Sequence, residues 1–310
     1  MTHSAVRTLR IGTRTSRLAR EQSRQVAEAL RQRVPDLVCQ EVPVVTEGDR
    51  LLDRPLPEIG GKGVFTEQLE RALREGDIDL AVHSLKDLPI EEQSGVTIAA
   101  ICFRVDPRDV LVASDQWTLA TLPPGAHVGT SSTRRAAHLR ARRPDLELLD
   151  LRGNVDTRVR QVESGRYHAI VLAAAGLLRL GLAEAITCYL APAEMLPAPG
   201  QGALAVQCRS DDPATLALVA TLDHSETRAA VTAERAFLAG LGGGCSAPVA
   251  ALAELVPAGM GWLRMRGRVM APDGTGVVDV VGDGPMTKAA DLGARLAREA
   301  LLAGASAFLS

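Results

Sequence analysis

Apolar residues along this chain follow two rhythms. Short apolar runs closed by polar or hydroxylic residues predict buried strands at 8–12, 38–45, 79–84, 96–101 and 109–113, one ending at Gly129, and further strands at 146–149, 169–173 and 203–207. Where apolar residues instead recur every three or four positions, helices are predicted. The first is 18–30, with Ser16 as its N-cap; the second is 64–75, with Phe65, Leu69 and Leu73 on one face; a third runs from the hydroxyls after Gly129 to Arg143. Strand, turn and helix in alternation are the elements of βαβ units. The last third of the chain has another rhythm. Helices at 213–222 and 225–238 precede strands at 249–253, 262–269 and 276–281 and a closing helix at 287–302, an α+β pattern.

Two polar, Pro- or Gly-bearing passages, 103–109 and 197–202, interrupt the α/β pattern, and we place domain crossings there. The expected organisation is a discontinuous α/β domain 1 (1–102 and 203–222), an α/β domain 2 (103–202) and an α+β domain 3 (223–310), with domains 1 and 2 flanking one cleft. Residues 47–63 lack periodicity and hold the run Gly60-Gly61-Lys62-Gly63, which predicts a mobile lid.

Composition narrows the function classes. Of the 310 residues 46% are hydrophobic and 23% charged, values of a globular chain. Net charge is −2 and only 3% are aromatic, so neither a basic field nor stacking platforms exist to bind nucleic acid, and no apolar run is long enough to span a bilayer. The five cysteines (Cys39, Cys102, Cys188, Cys208, Cys245) are scattered and show no metal-ligand spacing. No metal site is expected, and reduced thiols in a cytoplasm fit best.

The candidate chemistry sits where strands end. The run from Asp79 to Pro89 begins apolar and finishes with His83, Ser84, Lys86 and Asp87, at the strand end where open α/β sheets take their ligands. A Lys-Asp step alone is an ordinary solvated pair; its weight comes from similar clusters elsewhere. Ile11-Gly12-Thr13-Arg14-Thr15-Ser16 is echoed by Val128-Gly129-Thr130-Ser131-Ser132-Thr133-Arg134-Arg135, and a third strand ends in Arg152-Gly153-Asn154 with Arg158 one turn on. Arg14, Lys62, Lys86, Arg134, Arg135, Arg152 and Arg158, joined by Arg104 and Arg179, interleave with Ser16, Ser84, Thr130, Ser131 and Ser132. Arginine forks, hydroxyls and helix-terminal amides together predict a polyanionic ligand. Asp87 is the one acid among these strand-end cations, suited to proton transfer or to steadying a cationic intermediate. Cys245 follows three glycines, and spacing alone leaves open whether it is a packed or an accessible thiol.

The strings GGKGVF (60–65), VHSLKDLP (82–89), VGTSSTRR (128–135), LRGNVDTR (151–158), APGQGAL (198–204) and LGGGCSAP (241–248) resemble the porphobilinogen deaminase (hydroxymethylbilane synthase) family from about Arg10 onward. The resemblance implies two lobes like those of periplasmic binding proteins plus a smaller third domain. It implies a covalent dipyrromethane cofactor on Cys245 through a thioether, and a monomer that joins four porphobilinogen molecules head to tail, releases ammonia at each step and finally releases hydroxymethylbilane. Carried onto matching positions, Asp87 with Lys86 would be catalytic. Arg14, Ser16, Lys62, Ser84, Arg104, Thr130, Ser131, Ser132, Arg134, Arg135, Arg152, Gly153, Asn154, Arg158, Arg179 and Gln201 would hold the carboxylates of cofactor and substrate. Four positions depart from the family pattern: Glu47 and Glu58 stand where basic residues are frequent, Arg17 replaces a common Pro, and Leu178 replaces a polar residue.

A solute receptor would share the two-lobed anion cleft. Receptors of that kind are exported, whereas the cysteine set reads as reduced and no signal peptide is apparent.

Overall fold

The computed structural model describes residues 8–46, 66–91, 93–242, 248–257 and 261–309. Lys62, Cys245, Glu47, Glu58 and the expected lid lie outside them. The chain forms two compact units, Met1–Phe103 with Ala203–Ser225, and Arg104–Gly202 with Glu226–Ser310.

Unit 1 is built on a five-stranded sheet of β1 (Thr8–Thr13), β2 (Val38–Pro43), β3 (Leu80–Ser84), β4 (Val96–Ile101) and β10 (Leu204–Arg209), in the order β2-β1-β3-β10-β4. β1 runs parallel to β2 and β3, and β10 is antiparallel to β3 and β4. Alternation along β3 sorts the core: Leu80 and Val82 join Leu9, Ile11, Val26 and Leu30 on one face, while Ala81 joins Leu69, Leu73 and Ile78 on the other. Those faces are covered by α1 (Arg17–Arg33) and α2 (Glu67–Glu75). Ser16 caps α1 by accepting from the Ala19 N–H at 3.3 Å, and Arg31 and Arg33 in its last turn oppose the C-terminal dipole. A 3₁₀ turn, Leu85–Asp87, continues from β3 and was not foreseen in the sequence.

Unit 2 contains a second five-stranded sheet of β5 (Asp109–Ala113), β6 (His127–Gly129), β7 (Glu147–Leu149), β8 (Ala169–Ala173) and β9 (Cys188–Tyr189), in the order β7-β6-β8-β5-β9. Its plan repeats that of unit 1. β6 is parallel to β7 and β8, and β5 is antiparallel to β8 and β9. α3 (Thr133–Arg142), α4 (Val155–Glu163) and α5 (Ala174–Arg179) accompany it. The chain then returns to unit 1 through β10 and α6 (Pro213–Ala220).

The rest of unit 2 is α7 (Ser225–Gly240), an antiparallel sheet of β11 (Val249–Leu255), β12 (Trp262–Met270) and β13 (Val277–Pro285), and α8 (Ala289–Leu302). One face of this sheet packs Leu263, Met265, Val278 and Val280 against Phe237, Leu292 and Leu296 of the two helices. The opposite face carries the cross-strand pairs Arg264–Asp283, Arg268–Asp279 and Arg266–Glu254. Period-two alternation therefore accounts for both faces.

Glu234, on the inner face of α7, is wholly buried and its carboxylate accepts from four donors. Arg104 reaches it at 2.6 and 3.1 Å, the Gly200 N–H at 2.7 Å and the Ala253 N–H at 2.8 Å. Such a set repays the desolvation of a buried carboxylate because every oxygen finds charge-assisted partners.

Candidate active site

In unit 1 the parallel register pairs Gly12 with Ala81, so the chain leaving β1 and the chain leaving β3 emerge at one end of the sheet. Gly12 is required there, since a Cβ would stand 2.3 Å from Ile78 Cδ1. Arg14 and Ser16 follow β1; Ser84, Lys86 and Asp87 follow β3. The Ser84 hydroxyl accepts from Gln22 Nε2 at 2.9 Å, and Gln22 lies buried on the inner face of α1. Lys86 is half-buried, and the Asp87 carboxylate on its short turn is exposed. His83 lies buried on the face of β3 opposite Ser84. Burial, with the Arg14 charge nearby, pushes its pKa down to about 4, so this imidazole is neutral at pH 7.

In unit 2 the matching sheet end is formed by Thr130, Ser131 and Ser132 at the start of α3. Ser132 caps that helix by accepting from the Arg135 N–H at 3.4 Å, as Ser16 caps α1. A cavity of about 190 Å³ opens beside these hydroxyls, lined also by Thr133, Ala136, Arg140 and Pro272. The loop after β7 is pinned along its backbone. Tyr167 donates to the Asp150 carbonyl at 2.6 Å, Gln161 to that of Arg152 at 3.3 Å and Arg158 Nε to that of Gly153 at 2.7 Å. Gly153 sits at φ 102°, where an L side chain is strained, and so turns the chain into α4 behind Asn154. On the exposed side of this loop Arg152 Nε donates to the Asp150 carboxylate at 3.1 Å, and the Ser131 hydroxyl donates to the same carboxylate. Partial burial works against the charge on Asp150, but Ser131 and Arg152 outweigh it and hold the carboxyl below the ordinary range.

Arg134 and Arg135, expected to meet a ligand carboxylate, have a carboxylate of the protein itself as a partner. Both guanidinium groups turn inward onto Asp109, the first residue of β5, at 2.7 and 2.8 Å. Arg134 also donates to the Leu196 carbonyl, and Arg135 to that of Val171. The physical reason is Asp109 itself, which is wholly buried and needs these cations. Gln201 is a third residue that donates to it, at 3.1 Å, and is likewise buried. Arg104 is engaged by Glu234, and Arg179 donates to the Gly202 carbonyl at 2.8 Å. The predicted residues therefore fall into two sets. Arg14, Ser16, Ser84, Lys86, Asp87, Thr130, Ser131, Ser132, Arg152, Gly153, Asn154 and Arg158 stand at strand ends and helix starts, whereas Arg104, Arg134, Arg135, Arg179 and Gln201 brace the interior of unit 2.

Sequence reading missed Gln22, Asp109, Asp150 and Glu234. Three of the four carry a readable signal, a polar residue at a position whose period belongs to the core: Gln22 among Ala19, Val26 and Leu30; Asp109 beside Val110 and Leu111; Glu234 between Ala233 and Phe237. Asp150 carries none.

Residues 9–217 match the family model described as porphobilinogen deaminase, dipyromethane cofactor binding domain, and residues 228–302 match that of the porphobilinogen deaminase C-terminal domain. The chain belongs to the porphobilinogen deaminase family. Members similar to it include the porphobilinogen deaminase of Roseiflexus castenholzii, 52% identical across 97% of this chain and 98% of the relative. That of Syntrophomonas wolfei is 47% identical across 98% of each. Solved structures that align with part of the chain include the periplasmic VFT2 domain of BvgS from Bordetella pertussis (15% identity, 69% of this chain and 86% of that one, TM-score 0.41). Another is a periplasmic sulfonate-binding protein from Methylobacillus flagellatus (12% identity, 69% and 66%, TM-score 0.41). The donors at the strand ends suit the family's chemistry: hydroxyls, helix-terminal amides and arginine forks are the partners a dipyrromethane with its carboxylate side chains requires.

Proposed function

We propose that this chain polymerises four porphobilinogen molecules head to tail on a dipyrromethane primer attached through a thioether to Cys245, releasing ammonia and then hydroxymethylbilane. The observation that supports it best is Asp87, an exposed carboxylate carried just past β3 in company with Ser84 and Lys86. The cofactor supplies the pyrrole end on which the chain is extended. Everything else falls to the protein's own groups.

Asp87 is the catalytic acid: it assists loss of the amino group as ammonia and offsets the positive charge left on the substrate carbon and pyrrole nitrogen. Lys86, Arg14, Ser16 and Ser84 orient acetate and propionate groups in unit 1. In unit 2 that work falls to Arg152, Arg158, Thr130, Ser131 and Ser132, with Gly153 and Asn154 shaping the turn. Arg104, Arg134, Arg135, Arg179 and Gln201 set the positions of these groups from beneath, and Lys62 belongs to the lid. We further read the sequence as three domains, 1–102 with 203–222, 103–202 and 223–310, supported by the separate apolar cores of the three sheets. A cytoplasmic monomer completes the reading, which the thiols of Cys39, Cys188 and Cys208 support. Among the described residues no helix is long and apolar enough to cross a membrane.

Intact mass under denaturing conditions, followed by peptide mapping, tests the proposal. An excess of two pyrrole units on the Cys245 peptide is expected. A mass that stays unmodified after incubation with porphobilinogen would overturn it.

A further inference from the structure

Asp150 is the feature of this site that the proposed reaction leaves unused. Its backbone is fixed at two points, by the Tyr167 hydroxyl on its carbonyl (2.6 Å) and by the neighbouring Leu151 N–H on Ser131 Oγ (3.0 Å). Its side chain is 58% exposed, yet it is turned back onto the protein. One oxygen lies against the Ser131 hydroxyl, whose single proton it shares with the Leu151 carbonyl at the same 2.5 Å, and the other accepts from Arg152 Nε at 3.1 Å. A carboxylate held by one hydroxyl and one guanidinium is the arrangement that a substrate acetate or propionate would need at these same two residues.

We propose that Asp150 is a tethered competitor for the substrate carboxylate. It keeps Arg152 and Ser131 arranged for an anion, gives way when a carboxylate of the growing chain arrives, and returns when that carboxylate leaves. The inference rests on the reading that Arg152 and Ser131 bind substrate. Its consequence is a site that loads and unloads readily, which a protein passing a lengthening polyanion through fixed cations requires. Because the pair is exposed, the competition is modest, about 2- to 5-fold in affinity.

The test is Asp150→Asn in the holoenzyme. The amide keeps an oxygen for Ser131 and removes the charge, and the pinned backbone keeps the loop in place. The expected result is a KM for porphobilinogen about 2- to 5-fold lower without a rise in kcat, and a dissociation constant for citrate, titrated directly as a probe polycarboxylate, lower by the same factor. In an Arg152→Gln background the Asp150→Asn change should leave citrate affinity unmoved. A merely structural Asp150 would instead raise KM, or shift both backgrounds alike. Unchanged or weakened citrate binding in Asp150→Asn overturns the inference. If the wild-type holoenzyme fails to consume porphobilinogen, the functional reading falls, and the citrate titrations still decide the role of Asp150.

Discussion

The two five-stranded sheets share a strand plan and differ in what they do with their acids. The first, β2-β1-β3-β10-β4, leaves Asp87 exposed just beyond its central strand. The second, β7-β6-β8-β5-β9, buries Asp109 completely at the start of β5 and surrounds it with Arg134, Arg135 and Gln201. In each, a serine caps the helix after the first parallel strand, Ser16 in one and Ser132 in the other. The same scaffold thus carries one acid left exposed to solvent and one whose charge is consumed in holding arginines. Residue type alone does not separate these roles; burial and partners do.

The comparison breaks most readily at the acids. Asp87→Ala should lower turnover by about 10²- to 10⁴-fold while unfolding free energy stays within about 0.5 kcal/mol of the parent, measured as porphobilinogen consumption and by urea titration. Asp109→Asn should do the reverse in kind, costing about 3–5 kcal/mol because two guanidinium groups lose their buried counter-charge. A stable Asp109→Asn protein would mean that the inner arginines do not depend on this acid.

A smaller effect concerns the two imidazoles that are buried among the described residues, one per unit. His83 and His138 are both held at about 4, by burial first and then by a neighbouring arginine. Two contacts explain why His138 stays neutral: its Nδ1 faces the Arg134 carbonyl at 2.8 Å, and its Nε2 accepts from the Leu196 N–H at 3.3 Å. A depressed folded-state pKa costs nothing above the unfolded value near 6.5. As pH falls from there toward 4 the unfolded chain takes up protons that the native chain refuses, so stability drops, by up to about 3 kcal/mol per histidine. Denaturation midpoints at pH 7.5 and pH 5 should show the drop, and His138→Gln should flatten it. Carboxyls such as Asp79 and Asp150, already lowered, lose their contribution only at more acid pH. The smallest effect is at the caps: Ser16→Ala and Ser132→Ala should each cost about 1 kcal/mol, and a clear inequality between them would sharpen the contrast between the sheets.

Much of this was legible in the sequence. Unbroken apolar runs such as Leu80-Ala81-Val82 and Ile170-Val171-Leu172 announced central strands, and the repeated Gly-Thr step announced two related strand-to-helix turns. The exposed candidate residues could be picked out because they stand at the ends of those runs. What escaped was direction. Arg134 and Arg135 share a helix start with Ser131 and Ser132, yet face inward because Asp109, more than twenty positions earlier, needs them; no local pattern encodes that pairing. The two-residue β9 was also invisible, being too short for any period.

The placement of β10 carries a consequence for synthesis. Among the described residues β4 pairs only with β10, and β10 also flanks β3, so the sheet of unit 1 stays open until the chain beyond Gly202 has been made. With roughly 100 intervening residues and translation at about 5–20 residues per second, a nascent unit 1 waits about 5–20 s with two strand edges unpaired. The sheet of β5 to β9 is made during that wait and gains its last strand, Cys188–Tyr189, only shortly before Gly202. The strand that joins β3 to β4 is therefore the last of either five-stranded sheet to be made, and slowing the ribosome beyond Gly202 should lengthen the aggregation-prone interval without altering the finished protein.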